Sequence, residues 1–369
     1  MTKIIKIADI TNYLETIAPL SYQESYDNAG LLVGDSKQAV IGILCTLDCT
    51  EEVVKEAIEK KCNLIIAHHP IVFSGLKRFT GRNYVEKTII QAIKNDIAIY
   101  AIHTNLDHVL AGVNAKICQK IGLQNTKILA PKRNILKKLQ VFVPQTHTQV
   151  VLDALAEAGA GMIGNYSRCS FVVAGEGSFQ ANDKANPTIG KANSLEKVTE
   201  NSIEVIFAAA NENKILAALR KAHPYEEIAY YVYNLENENQ EVGAGMIGEL
   251  EKPLEIQEFL AKLKLAMDLQ VLKYTKLVED KKIKKVAVCG GAGGFLLKNA
   301  IAAGADIFIT ADYKYHEFFD AEQKIRIVDI GHYESEQFTK ELLVELLTPI
   351  FTDIKMIEST INTNPIAYF

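Results

Sequence analysis

Histidine and carboxylate side chains hold divalent metal ions through nitrogen and oxygen, and six of the eight histidines in this 369-residue chain stand where such ions could be held. His68 and His69 follow the apolar run NLIIA, His103 and His108 bracket Asp107 after IAIYAI, His316 follows Asp312 in TADYKYH, and His332 follows RIVDIG. Each run reads as a β-strand. In an open parallel sheet the functional crevice lies beyond the carboxyl ends of the strands, so loops from four strands predict one converging site. His332 and Glu336 are four residues apart at the start of a helical segment, which stacks them on one face with room for an ion between them. The adjacent His68 and His69 direct their rings apart, which suits two neighbouring ions better than one. Asp107 offers a carboxylate, the group type that bridges ions ~3.5–4 Å apart.

The metal ligands predicted are therefore His68, His69, Asp107, His332 and Glu336. They give each of two divalent ions about three protein ligands and leave positions open for water, as catalytic sites do. Imidazole and carboxylate without thiolate suit zinc, iron, manganese or cobalt, with no choice among them. His103, Asp312 and His316 are predicted to be catalytic, orienting ligands or shuttling protons. Glu334, two residues past His332, points elsewhere on the helix. The cluster GGAGG at 290–294 follows a strand and precedes a helix, so the amides of Gly291, Gly293 and Gly294 are a candidate anion cradle. Close strand-to-helix packing is the competing explanation. The repeat GAGMIG at 159–164 and 243–248 matches a dinucleotide fingerprint only formally, since neither copy opens a helix after a strand; both read as tight turns.

Stepping between these residues, the segment 40–123 alternates strands with amphipathic helices in the βαβ manner. Its strands are VIGILCTLD, NLIIAHHP and IAIYAIHTNLD, and its helices start after Thr50 and Asn83 as caps. At the very start, Ile7, Ile10, Leu14 and Ile17 share one face of a first helix. From 285 onward the α/β rhythm returns and ends in one long helix through SEQFTKELLVELLTPIF. Between these halves, 136–240 reads β-α-β-β-α-β, the ferredoxin-like order, with a polar connection over 181–201. The fold class expected is α/β: a parallel-type domain from 1–130 and 245–369, interrupted by an inserted ferredoxin-like α+β domain at 136–240.

Composition narrows the partners. The chain is 48% hydrophobic and 23% charged with net charge -5, values of an ordinary soluble globular protein. No run approaches the ~18–20 apolar residues of a membrane span, and the first residues lack the pattern of a secretory signal. Lys281, Lys282, Lys284 and Lys285 form the one basic cluster, too short for nucleic-acid binding, which needs an extended basic surface. The six cysteines contain no C-x-x-C pair and read as buried reduced thiols, which predicts a cytoplasmic location.

The motifs AHHP at 67–70, HTNLD at 103–107, TADYKYH at 310–316 and GHYESE at 331–336, with SYDNAGLLVGD at 25–35, resemble those of the NGG-interacting-factor-like proteins. These are dinuclear-metal hexamers commonly called GTP cyclohydrolase type 2 homologues. The resemblance spans nearly the whole chain. It implies ligation by His68, His69, Asp107, His332 and Glu336, and a toroidal homohexamer with its metal sites facing an internal cavity. It also implies an insert similar to the signalling protein PII and the cation-tolerance protein CutA, with AHPYEEIAYYVYNL at 222–235 as its signature. The function expected is hydrolysis, with metal-activated water attacking a nucleotide ring C=N or an amide-like carbon of a small-molecule ligand. The competing expectation is a PII-like regulatory or metal-handling protein whose dinuclear site stores, delivers or senses metal.

Overall fold

A computed structural model describes residues 4–276 and 281–369. The chain forms two compact units, one from residues up to 130 together with those from 241 onward, the other from 131–240.

The first unit is built on two sheets. In the five-stranded sheet the order is Gly30–Val33, Ala98–Ala101, Leu64–Ala67, Gly42–Thr46, Lys355–Glu358. The last four run parallel and Gly30–Val33 is antiparallel at the edge. Every residue of the three central strands is buried, as a parallel sheet covered on both faces requires. Crossover helices Glu51–Glu59 and Tyr84–Lys94 supply part of that cover, and both start on the expected caps. The Thr50 side chain accepts from the Val53 amide and the Asn83 side chain from the Glu86 amide, satisfying donors that a helix start leaves open.

The six-stranded sheet has the order Lys273–Tyr274, Arg326–Asp329, Ile307–Ala311, Ile283–Ala292, Asn239–Leu254, Gln124–Lys132. Its three central strands Arg326–Asp329, Ile307–Ala311 and Ile283–Ala292 are parallel, and the strands flanking them are antiparallel. The mixed α/β class is the one anticipated, but the halves of the sequence do not each own a sheet: Lys355–Glu358 crosses to pair with Gly42–Thr46. That short strand has only a partly buried pattern, which left it without a hydrophobic signature.

Other segments differ from their sequence reading. The long helix anticipated over 335–351 is two helices, His332–Glu336 and Thr339–Leu347, and at the break Gln337 donates its side-chain amide to the Met267 carbonyl, 2.9 Å away. The stretch Tyr315–Ala321 is a 3-10 helix. Of the two GAGMIG copies only the first is a turn, with Gly159, Gly161 and Gly164 all at positive φ. The second runs through the strand Asn239–Leu254, where Gly245 at φ +63° lies so close to its neighbour that a Cβ would stand 2.9 Å from the Val288 carbonyl oxygen.

In the second unit an antiparallel sheet has the order Phe171–Gln180, Leu195–Ala208, Leu136–Pro144, Tyr230–Leu235. Helices Thr148–Glu157 and Glu212–Ala222 place Val151, Leu155, Ile215 and Leu219 in one core with Leu139, Val141 and Ile203. Residues 195–201, expected in a polar connection, extend the second strand instead, with their backbone paired in unbroken antiparallel register from Leu195 opposite Gln180 to Asn201 opposite Ala174. Among the described residues no helix is long and apolar enough to cross a membrane.

The buried Glu56 on helix Glu51–Glu59 fastens the crossing C-terminal segment, accepting from Ser359 Oγ at 2.6 Å, the Thr360 amide at 2.9 Å and Thr360 Oγ1 at 2.7 Å. Burial alone would raise its carboxyl pKa, but these donors hold it below the ordinary value. A carboxylate with a lowered folded pKa stabilises the fold at neutral pH and loses that contribution as pH falls through the lowered value. Glu56→Ala is expected to cost about 1.5–3 kcal/mol at neutral pH. In urea titrations repeated at falling pH the mutant and wild-type stabilities should converge; a constant gap would refute the clamp.

Candidate metal centre

The parallel strands deliver the residues. Leu64–Ala67 ends directly at His68 and His69, and Ala98–Ala101 leads into His103, which precedes the single helical turn Thr104–Asp107. That turn is fixed by Asn105, whose Oδ1 accepts from the His103 amide at 2.9 Å and whose Nδ2 donates to the Ala18 carbonyl at 2.7 Å. From the other sheet, Arg326–Asp329 leads through Gly331, at φ +91°, into the short helix that begins at His332 and ends at Glu336. One carboxylate oxygen lies at the meeting point. Glu336 Oε2 is 3.0 Å from His69 Nε2, 3.1 Å from His332 Nε2 and 3.9 Å from His68 Nε2.

Three overlapping groups result, each with donor atoms within 4.8 Å of one another: His68, His69 and His103; His69, His332 and Glu336; His68, Asp107 and Glu336. Glu336 belongs to two of them. His68 and His69 likewise belong to two groups each, and Asp107, the bridging candidate of the sequence, joins the one it shares with His68 and Glu336.

Each of the four imidazoles is held by its Nδ1. His68 Nδ1 donates to the Ile102 carbonyl at 2.8 Å, His69 Nδ1 to Asp48 at 2.7 Å, His103 Nδ1 to Asp27 at 2.8 Å and His332 Nδ1 to Asp312 at 2.6 Å. Such partners fix the ring and its tautomer in metal-ligating histidines. A carbonyl can only accept, so His68 carries its proton on Nδ1. Burial drives its pKa down to about 3, and the neutral ring presents a bare lone pair at Nε2. Facing it 3.6 Å away is Asp107 Oδ1, and both atoms are buried without a hydrogen-bond partner.

That juxtaposition tests the donor set for a metal. Two buried electron-rich atoms with nothing between them are costly, and a cation is the species that would satisfy both. Asp107 shows the strain: burial, and then the charge of Glu336, push its pKa well above the ordinary value. Glu336 goes the other way despite burial, because His332 and His69 donate to it. Burial also works against a charge on His69, but hydrogen bonds to Asp48 and Glu336 raise it to about 10. No cysteine is in the converging groups found among the described residues, and the Cys289 thiol beside them is pushed up by burial and by Asp107 and Glu336. It stays protonated, and the donor set is nitrogen and oxygen.

The remaining sequence expectations divide. His103, expected to orient or shuttle, sits with its ring 5.3 Å from those of both His68 and His69 and so among the possible ligands. Asp312 holds His332 from outside the group. His316 is not brought in: it is exposed and packs on Tyr315 and Phe319. The anion cradle is corrected as well. The Gly291 amide donates to Ser335 Oγ at 3.0 Å and the Gly293 amide to Thr310 Oγ1 at 2.9 Å, so neither is available, and Gly294 lies against the Tyr313 ring. The glycines serve proximity instead, since a Cβ at Gly291 would stand 2.6 Å from Glu336 Oε1. Asp27 and Asp48 were missed. Asp48 follows the strand Gly42–Thr46 by two residues, so the strand-end rule that found the histidines would have found it; Asp27 lies in a loop with no such signal. Burial opposes the Asp27 charge, yet donation from His103 and Thr104 holds its pKa at about 2.

If these carboxylates aim the rings, Asp48→Asn should weaken divalent-ion binding about 10–100-fold while leaving the fold intact. Competition of zinc or manganese against a chromophoric chelator measures it, and unchanged affinity would remove Asp48 from the centre.

A cavity of about 710 Å³ opens over the group, with the exposed rings of Tyr26, Phe73, Tyr84 and Phe295 on its wall. Residues 5–365 match the family described as Duf34/NIF3 (NGG1p interacting factor 3). A Halalkalibacterium halodurans protein named GTP cyclohydrolase 1 type 2 homolog is 40% identical over 371 residues, covering 99% of this chain and 100% of its own. Its Bacillus subtilis namesake is 37% identical over 374 residues and 100% of each chain. Among solved structures, a Bacillus cereus protein related to NIF3 is similar at a TM-score of 0.86 with 38% identity over 100% of both chains. The chain therefore belongs to the Duf34/NIF3 family.

Proposed function

We propose that the chain is a dinuclear-metal-dependent hydrolase acting on a ring C=N or amide-like carbon of a small molecule, with His68, His69, Asp107, His332 and Glu336 as ligands. The observation that carries this reading is the pair of buried, unpartnered donor atoms His68 Nε2 and Asp107 Oδ1 beside four imidazoles already anchored at Nδ1. Two divalent transition-metal ions would supply Lewis acidity and activation of water near neutral pH. The chain's own groups do the rest. Asp27, Asp48 and the exposed Asp312 hold His103, His69 and His332 in one orientation by accepting from each Nδ1.

Recognition falls to the aromatic wall. Among the described lining residues there is no lysine or arginine, whereas Tyr26, Phe73, Tyr84 and Phe295 offer faces on which a planar ring can stack. The name carried by the relatives, GTP cyclohydrolase 1 type 2 homolog, supports a nucleotide ring as the target. The reading extends to a cytoplasmic homohexamer, as the family resemblance implies.

Elemental analysis of protein purified anaerobically without chelators should find about two transition-metal ions per chain, lost or halved in Asp107→Ala. The metal-loaded wild type should open the ring of GTP or a related nucleotide, and Asp107→Ala should not. Essentially no metal after reconstitution would end this reading, and turnover surviving Asp107→Ala would identify a contaminant.

A further inference from the structure

The unit formed by 131–240 has a cavity of its own, of about 510 Å³, within the ~300–1,000 Å³ of small-molecule sites. Its wall is apolar and aromatic, with Phe142, Val173, Phe179, Pro187, Ile189 and Tyr225. The charged residues on it are all acidic: Glu176, Glu200, Glu226 and Glu227, with no lysine, arginine or histidine among the described lining residues. Two of the four are engaged. Glu176 pairs with Lys197 Nζ at 2.7 Å. Glu226 Oε1 accepts from the Asn186 amide at 2.8 Å, and Thr188 Oγ1 donates to the Pro224 carbonyl at 3.1 Å, so the connection over 181–194 is pinned along the rim.

Glu200 is placed by a missing side chain. A Cβ at Gly177 would collide with Glu200 Oε2, so the carboxylate occupies space on the sheet face that any residue other than glycine would fill. Near it the Tyr225 hydroxyl is buried and directed at the Glu200 carboxylate. Burial, the Glu200 charge and hydrogen bonding to that carboxylate push the phenol up to about 12, which keeps it a neutral donor that steadies Glu200.

We propose that this cavity binds a small organic cation with an aromatic or alkyl body, its ammonium group against Glu200 and its body among Phe142, Phe179 and Tyr225. Carboxylate and ring faces both attract an ammonium group, and the apolar wall rewards the body that carries it. Phosphorylated ligands are disfavoured, because their charge would enter a wall of the same sign with no donor cation. A bare divalent ion is disfavoured too, since these glutamates are in none of the groups whose donor atoms converge within 4.8 Å. The site is independent of the metal centre and of the hydrolase reading.

Isothermal titration of the full-length protein with phenethylamine, its neutral counterpart phenethyl alcohol, and ATP tests the assignment. The amine should bind saturably and at least about ten-fold more tightly than the alcohol, with ATP silent at this site. Glu200→Gln, isosteric and surface-accessible, should cost the amine about ten-fold and leave the alcohol unchanged. Ala174→Leu, which adds bulk to the wall from an exposed strand position, should weaken both. Equal affinity for amine and alcohol, no saturable amine binding, an unaffected Glu200→Gln, or both ligands indifferent to Ala174→Leu would each overturn the proposal.

Discussion

The first unit is organised around one unfavourable arrangement, a set of buried electron-rich atoms held against each other by strands that are otherwise ordinary core. His68 is fully buried and Glu336 is 3% exposed, and neither can retreat, because His68 leaves a strand with no exposed residue and Glu336 ends a helix packed behind the glycine run at 290–294. Left alone, such a cluster lowers stability. It is tolerated because the anchoring hydrogen bonds at each Nδ1 satisfy the outer half of every imidazole and His69 and His332 donate inward to Glu336, which leaves His68 Nε2 and Asp107 Oδ1 as the unpartnered pair.

The two sheets divide the labour. One brings His68, His69, His103 and Asp107, and the other brings His332 and Glu336. The first set holds one converging group by itself, His68 with His69 and His103, and the two sets meet at Glu336 Oε2 and where His332 Nε2 lies 3.4 Å from His69 Nε2. Gly291 permits this closeness: its left-handed backbone and absent side chain let Glu336 approach within a distance at which any Cβ would intrude. The glycines that suggest phosphate binding in the sequence are explained by the neighbour they admit.

Much of this was legible from residue type and spacing because two rules cooperate. Parallel strands advertise themselves as continuous apolar runs, and function gathers at their carboxyl ends, so the positions of His68, His69, His103, Asp107 and His332 at strand ends are legible in the sequence, although the strands belong to two sheets. The rules stop where the information is not local. Lys355–Glu358 has too little buried surface to read as a strand until Gly42–Thr46 is beside it. Asp27 acquires meaning only through His103, 76 residues away. His316 shares its motif with Asp312, but the 3-10 turn carries its ring to the surface.

The crossing of Lys355–Glu358 into the sheet begun by Gly42–Thr46 has a consequence for how the protein comes into being. During synthesis the first half emerges with His68, His69, His103 and Asp107 but lacks both the neighbouring strand and the Glu336 carboxylate. The segment that carries His332 and Glu336 must follow before the two groups that include Glu336 can be complete. A product that stops before Lys355 is left with Gly42–Thr46 as an uncovered sheet edge, and one that stops before His332 lacks the donors that the second sheet brings to the group.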